Sequence, residues 1–405
     1  MTMALEGITV LDWTIWQQGP VSTVILADLG ADVIKIEHRV TGDPGRGMKY
    51  IMGAMLGEEL PFNTYFEGQN RNKRGITLDM TKDKGREVLY RLVKKADVIV
   101  SNFRHGITAK LKADYETLSQ INPRLIYAVA SGLGPEGPNA SDPCLDAIGQ
   151  ARSGIMHTIN WPGEPPRQNQ IGIGDQVGAI HLALGVLAAI VAREKTGKGQ
   201  KVEVSLLGGM CWLQQVYITL HINANNRLDL PRREDQSNPI YNHYCCSDGT
   251  WIMFAMLQSD RYWADFCRVI GREDLVTDAR CANMFTRGEH CTDLVAEFDR
   301  IFKTKTRAEW MKILKDGGDF IFGPVNDLYD LVTDPQVLAN KYITDFEHPA
   351  CGPVKIVGPP FHFSETPASV RRPAPEFGQH TEEVLIELGG YTWEEIETLR
   401  IEEVI

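Results

Sequence analysis

The sequence predicts an α/β protein: a doubly wound, Rossmann-like large domain with a smaller α+β domain. Three observations predict it. Short β-branched runs alternate with amphipathic stretches over roughly the first third of the chain, the pattern of parallel strands joined by crossover helices. A long apolar helical pattern then leads into one more strand-like run, Lys201 to Leu206. A polar stretch, Asn223 to Asn238, separates all this from a hairpin signal. With 405 residues, the chain is long enough to bury both cores.

Taken in order, Ile8 to Trp13, Val33 to Ile36, Asp97 to Ser101 and Leu125 to Ala130 read as strands. The first leads through the loop Thr14 to Pro20 into a helix, Val21 to Leu29, that Gly30 can end. The loop reads Thr-Ile-Trp-Gln-Gln-Gly-Pro and lacks the G-x-G-x-x-G fingerprint. A dinucleotide is therefore not the natural ligand, and an NAD-dependent oxidoreductase is set aside. A further helix runs from Asp175 to Lys195 and closes at Gly197. Its most apolar part, Val177 to Ala192, is shorter than the roughly 20 residues of a membrane span and contains His181, so it reads as a buried helix. Tyr241 to Cys246, the turn Ser247-Asp248-Gly249, and Thr250 to Ala255 form the hairpin. Thr306 with Glu309, and Asp334 before Pro335, are helix starts, and Thr381 to Leu399 is a last helical region after the proline-rich Gly358 to Pro375.

Composition narrows the function. A net charge of -11 argues against a nucleic-acid partner, which needs a basic surface. The eight cysteines, including the adjacent Cys245 and Cys246, form no CxxC pair, so neither a zinc site nor a disulfide framework is indicated and no metal is expected. Reduced thiols, the absence of a signal pattern in Met1 to Gly7 and the lack of a membrane span together predict a cytoplasmic protein.

Three segments are more specific than packing requires: Asn70 to Asp79 (NRNKRGITLD), Asn102 to Gly106 (NFRHG) and Gly172 to Gly199, with GIGDQVG at its start and REKTGKG at its end. With the opening Gly7-Ile8-Thr9-Val10-Leu11-Asp12 and the late Ala374 to Thr381 (APEFGQHT), they make the chain resemble the class III CoA-transferases. That is the family of formyl-CoA transferase, carnitine CoA-transferase and α-methylacyl-CoA racemase. The resemblance implies a CoA-transferase whose nucleophile is Asp175, in the pair Gly174-Asp175. It implies that Gln17 contacts the reacting acyl group and that Asp146 is a second acid beside the nucleophile. Without the resemblance, Asp175 would read as a plain helix cap.

A carboxylate suits the chemistry, because its attack on a thioester yields a mixed anhydride as reactive as the bond it replaces. A helix start would also favour its charge and the oxyanions that follow. For coenzyme A, here a co-substrate, the resemblance assigns His38, Arg39, Lys73, Arg74, Leu78, Asn102, Phe103 and Lys110. His38 and Lys110 stand where the family carries arginines, and Thr81 where it carries a lysine, with Lys82 adjacent. Trp16, with Trp161 and His157, suggests an aromatic-lined pocket for a bulky or aromatic acid such as an arylsuccinate or aryl-lactate, with succinyl-CoA a candidate donor. Arg232 to Ile240 lacks the glycine run by which some relatives shield the intermediate.

The resemblance further implies an interlocked-ring dimer, homomeric or with a related chain. Its large domain would be built from both chain ends, residues 1–222 and 330–405, around a small domain of 223–329. Two alternatives stand beside transfer. An acyl-CoA racemase needs a second base where this chain has Leu145; a non-catalytic subunit would have no reason to keep Asp175, Gln17 and Asp146.

Overall fold

The computed structural model describes residues 2–51, 54–55, 63–224 and 231–405, which divide into two compact units. The first comprises residues 1–159, 166–225 and 339–405; the second comprises 160–165 and 226–338.

In the first unit, β1 (Thr9–Trp13) leads into α1 (Gln18–Asp28), β2 (Asp32–Glu37), α2 (Thr64–Asn70), β3 (Arg74–Thr77), α3 (Asp83–Val93), β4 (Val98–Ser101) and β5 (Ile126–Ser131). Next come α4 (Asp146–Ser153), α5 (Ile173–Thr196), β6 (Lys201–Ser205), α6 (Leu206–Leu213) and α7 (Gln215–Ala224). All six strands are parallel, in the order β3-β2-β1-β4-β5-β6. The direction of winding reverses between β1 and β4, and a doubly wound sheet opens its crevice at the carboxyl ends of the strands flanking such a reversal.

Alternation along the strands divides the core. Leu11, Ile34, Ile76 and Ile99 face one side, which α3 covers with Val88, Leu89 and Leu92. Val10, Val33, Val98 and Ala128 face the other, against Leu26 of α1 and Leu182, Ala183, Val186 and Ala189 of α5. Each such aliphatic side chain contributes about 1.5–3 kcal/mol by leaving water. α5 differs from the buried helix the sequence predicts. It has 24 residues, long and apolar enough by length and composition to cross a membrane, and one face alone is covered. Ile180, Leu184 and Val191 on the opposite face are 56%, 61% and 58% exposed.

The second unit holds β7 (His243–Cys245), β8 (Trp251–Phe254), α8 (Ser259–Val269), α9 (Cys291–Phe302), α10 (Arg307–Gly317) and β9 (Phe322–Val325). β7 and β8 form the expected antiparallel hairpin, turning at Gly249 (φ +80°), and β9 adds to β8 as a third strand. Its core is aromatic: Tyr244 stacks on Phe302 at 5.1 Å, beside Phe254, Phe266 and Phe298. The Thr306–Glu309 capping box opens α10 as expected. Part of the boundary segment, residues 225–230, lies outside the described residues.

Residues 339–405 return to the first unit through the hairpin β10 (Ile343–His348) and β11 (Gly352–Val357), absent from the sequence reading, and end in α11 (Thr381–Glu387) and α12 (Trp393–Ile401). The expected single helical tail is thus two helices, broken where Gly390 takes φ +65°. Val384, Leu385, Ile396 and Leu399 complete the core under β3.

Candidate active site

The loop after β1 sits at the carboxyl end of the sheet's reversal point, and the residue after β4 holds it. Asn102 donates from Nδ2 to the Ile15 carbonyl at 2.6 Å and accepts from the Ile15 N–H at 3.0 Å. The Trp13 and Phe103 rings meet at 4.7 Å below this tie. The loop then does something a bulky residue rarely does: Trp16 takes φ +64°. Such strain persists only where the surroundings impose it, and it clusters at functional sites.

The start of α5 comes up beside this loop. Gly172 caps the helix with φ +66°, and a Cβ there would lie 2.8 Å from Gln17 Nε2, so the Gln17 amide rests directly on the helix's first turn. Asp146, at the start of α4, takes the place of a local cap. Its Oδ1 accepts the N–H groups of Gly174 at 2.7 Å and Asp175 at 3.1 Å. Gln150 donates to the other Asp146 oxygen and is fixed in turn by the backbone of Asn169, at 2.8 and 2.9 Å. The three sequence candidates Gln17, Asp146 and Asp175 therefore converge on one helix N-terminus.

This arrangement raises the Asp175 carboxyl from its usual value of 3.8 to about 7, first through burial and then through the charge of Asp146. The side chain keeps an opening to solvent, but the surrounding protein still withholds enough hydration to oppose its charge. Among the described residues no cation offsets that cost. The raised value marks a carboxyl whose charge its surroundings oppose rather than stabilise.

Tyr65 is a neighbour the sequence reading missed. It sits in the first turn of α2, capped by Asn63, and burial pushes its phenol up to about 12, with the charges of Asp175 and Asp43 adding to the shift. The phenol hydrogen-bonds with Gln69 and lies close enough to Asp175 to feel its charge. It lies five residues before the NRNKRGITLD segment, and nothing in the local pattern distinguishes it from a core tyrosine. Leu145, which precedes Asp146, is 70% exposed and carries no proton to transfer.

The residues expected around coenzyme A split into two groups. His38 and Arg39 follow β2, Leu78 follows β3, and Asn102 and Phe103 follow β4, all at the carboxyl edge; Lys110 is exposed on the short helix Ile107–Lys110 beyond. His38 Nδ1 accepts from the N–H groups of Val40 and Thr41, and Leu78 is buried at the strand end, where its N–H donates to Glu37. Lys73 and Arg74 are corrections. The Lys73 ammonium is fully buried, 2.7 Å from Asp12 and bonded to Asn70 and the Pro20 carbonyl. The Arg74 guanidinium is spent on Asp32, Glu383 and Glu387 at 2.6–2.7 Å. Lys73 lies just before β3 and Arg74 within it, and both side chains are buried in the fold. Lys82 likewise caps α12, donating to the Glu402 and Glu403 carbonyls.

Trp16 is 36% exposed and His157 is exposed on the same unit, while Trp161 belongs to the second unit. In Arg232 to Ile240, Arg233 pairs with Asp299 at 2.6 Å and starts a short 3₁₀ turn, Arg233–Asp235. Among the described residues no group of three histidine, cysteine or acidic side chains could hold a metal.

The family description "CoA-transferase family III" matches residues 5–381. A formyl-CoA:oxalate CoA-transferase of Rhodopseudomonas palustris is 33% identical, covering 97% of this chain and 95% of its own. An (R)-2-hydroxy-4-methylpentanoate CoA-transferase of Clostridioides difficile is 32% identical over the full length of both. A solved CAIB/BAIF family protein from Brucella suis superposes with a TM-score of 0.84 at 27% identity, covering 96% of this chain and 100% of its own. The chain therefore belongs to CoA-transferase family III and is an enzyme of that class, acting on CoA thioesters.

Proposed function

We propose that this enzyme moves CoA from an acyl-CoA donor to a carboxylic acid through covalent intermediates on Asp175. The Asp175 carboxylate attacks the donor thioester, giving a mixed anhydride and CoA thiolate. The thiolate attacks the aspartyl carbonyl, releasing the first acid and leaving an aspartyl-CoA thioester. The acceptor carboxylate then attacks that thioester, and the freed thiolate takes the new acyl group and restores Asp175. Gln17 donates from its amide to the acyl oxygen as negative charge builds there, and Tyr65 supplies a second neutral donor. Asp146 fixes the helix start and holds the Asp175 carboxyl near neutrality. The observation that carries this reading is the raised Asp175 carboxyl at a helix N-terminus shared with Asp146 and roofed by Gln17.

Coenzyme A would lie along the carboxyl edge, between His38, Arg39 and Lys110, with Asn102, Phe103 and Leu78 beneath it. The exposed Trp16 ring favours a bulky or aromatic acid such as an arylsuccinate or aryl-lactate, with succinyl-CoA as a donor to try first. The assembly is proposed to be a dimer of interlocked rings, with an identical or related partner. Its support is an apolar face that water alone would cover poorly: Leu184, Trp212, Val216 and Ile222 are 61–73% exposed. The eight cysteines are all unpaired, which suits a cytoplasmic enzyme.

Incubation with acyl-CoA and hydroxylamine, followed by peptide mass spectrometry, tests the intermediate. A hydroxamate at Asp175 is expected. Labelling at another acid, with Asp175 unmodified, would sink the assignment. Initial rates for small, branched and aromatic acids against succinyl-CoA and other donors then settle the substrate.

A further inference from the structure

The loop that carries Trp16 and Gln17 is held from an unexpected direction. Lys35, in the middle of β2, and Asp43, on the loop after that strand, form an ion pair at 2.8 Å with both side chains buried. Each partner also grips the neighbouring β1 loop by its backbone. Lys35 Nζ donates to the Thr14 carbonyl at 3.0 Å, and Asp43 Oδ1 accepts the Trp16 N–H at 3.2 Å as well as that of Gly45 at 2.8 Å. Asp43 is steadied in turn, since its own N–H donates to Glu37, which Arg46 clasps through two bonds of 2.7–2.8 Å. On the far side of the loop stands the paired contact between Asn102 and Ile15. The residue between these grips is Trp16 at φ +64°, and the next is Gln17, against the turn at Gly172.

A left-handed conformation costs a tryptophan energy that its own loop cannot recover, so something outside must impose it. An ion pair is also a poor choice for mere packing, because two apolar side chains of the same size would do as well in the interior. Its value must lie in direction: the ammonium and the carboxylate bond to one carbonyl and one N–H two residues apart. We propose that Lys35 and Asp43 are positioning residues for the transfer reaction, a buried clamp that fixes the strained Trp16 and so aims the Gln17 amide at the acyl group on Asp175. This rests on the roles given above to Gln17 and Asp175. Both side chains are buried, away from solvent.

The test is a mutant cycle between clamp and amide. Lys35→Met with Asp43→Asn removes both charges together, so no buried ion is left unpaired. The double variant is expected to melt in one cooperative transition. Its kcat falls about 10- to 100-fold, the size of a misplacement near 1 Å, while KM for acyl-CoA changes less than about threefold. In the native background Gln17→Ala costs about 10²- to 10³-fold in kcat, the usual loss for one oxyanion donor. In the clamp variant the same change costs less than about threefold, because the amide is already misaimed. The clamp is overturned if the double variant keeps kcat within about twofold, if KM changes as much as kcat, or if Gln17→Ala retains its full penalty there. Should the double variant not fold, Asp43→Glu, which keeps the buried charge but lengthens the arm, carries the same cycle with the same criteria. A native protein in which Gln17→Ala is silent and no label reaches Asp175 overturns the reading beneath the clamp and the clamp with it. Labelling at Asp175 with an undiminished Gln17 penalty overturns the clamp alone.

Discussion

Two buried acid clusters in the first unit stand at opposite ends of one rule. Asp12 is fully buried, and burial alone would push its carboxyl up, yet Lys73 and Lys35 outweigh that and hold it below the usual range. Asp175 loses hydration and faces a second carboxylate, with no offsetting cation among the described residues, so its carboxyl rises to about 7. Burial is shared by the two clusters, and the neighbours decide the outcome. Where each acid meets a base the carboxyl is held below its usual range; where two acids meet at a helix start it is held well above it.

The comparison can be broken at several points. The largest effect is expected at Asp175→Ala, which loses at least about 10⁴-fold in kcat with the melting transition intact, since the proposed intermediate forms on that carboxylate. Near-normal turnover there would end the nucleophile assignment. Asp12→Ala does the reverse. It strands the buried Lys73 ammonium, itself lowered to about 8 by burial, and costs about 3–5 kcal/mol in a denaturant titration. Changing Asp12 to Leu together with Lys73 to Met should return most of that loss, and a double variant no better than the single one would show that the pair is worth more than its apolar replacement.

Smaller effects sharpen the reactive side. The folded Asp175 carboxyl binds its proton more tightly than the unfolded one, so ionising it costs native stability progressively as pH rises from about 4 through about 7, and the deficit remains above that. Asp175→Asn is therefore expected to be more stable than the native protein at pH 8, by about 1–2 kcal/mol after solvent screening, with the gap closing below pH 4. Equal melting curves at pH 8 would contradict the raised value. Asp146→Asn keeps an oxygen for the Gly174 and Asp175 N–H groups but removes the charge. The acid limb of the kcat/KM profile should then move to lower pH. An unmoved limb would show that burial alone sets it.

Much of this was legible in the sequence. The β-branched runs marked five strands of the sheet to within a residue or two, because parallel strands covered on both faces are apolar throughout. β3 escaped notice because its residues, Arg74 to Thr77, sit in a basic motif that looks like surface. The same misreading placed Lys73 and Arg74 at the ligand. A sequence shows that a cation is present; it does not show the three carboxylates, two of them about 310 positions away, that have already claimed it. Asp175, Asp146 and Gln17 stand out in the sequence through motifs and are brought together by the fold, whereas the Tyr65 and Lys35–Asp43 contacts exist only once the chain has folded. α5 was read as wholly buried because hydropathy counts apolar residues without saying which of them the sheet will cover.

The return of the chain to its starting domain also sets an order of events during synthesis. The open edge of the sheet, β3, is sealed by residues made long afterwards. The Asn72 side chain accepts the Arg371 N–H 299 positions later, and the Asp79 N–H donates to the Val404 carbonyl. While a ribosome is still adding those residues, the second unit can already pack its aromatic core, because residues 226–338 are contiguous. The first unit cannot. Its edge strand waits, unpaired, for most of the time it takes to make the chain, and an exposed parallel edge is a place where strands of other chains can add. The nascent enzyme is therefore most in need of a chaperone between the emergence of β3 and that of α11, and truncation before Arg371 should produce aggregates rather than a smaller enzyme.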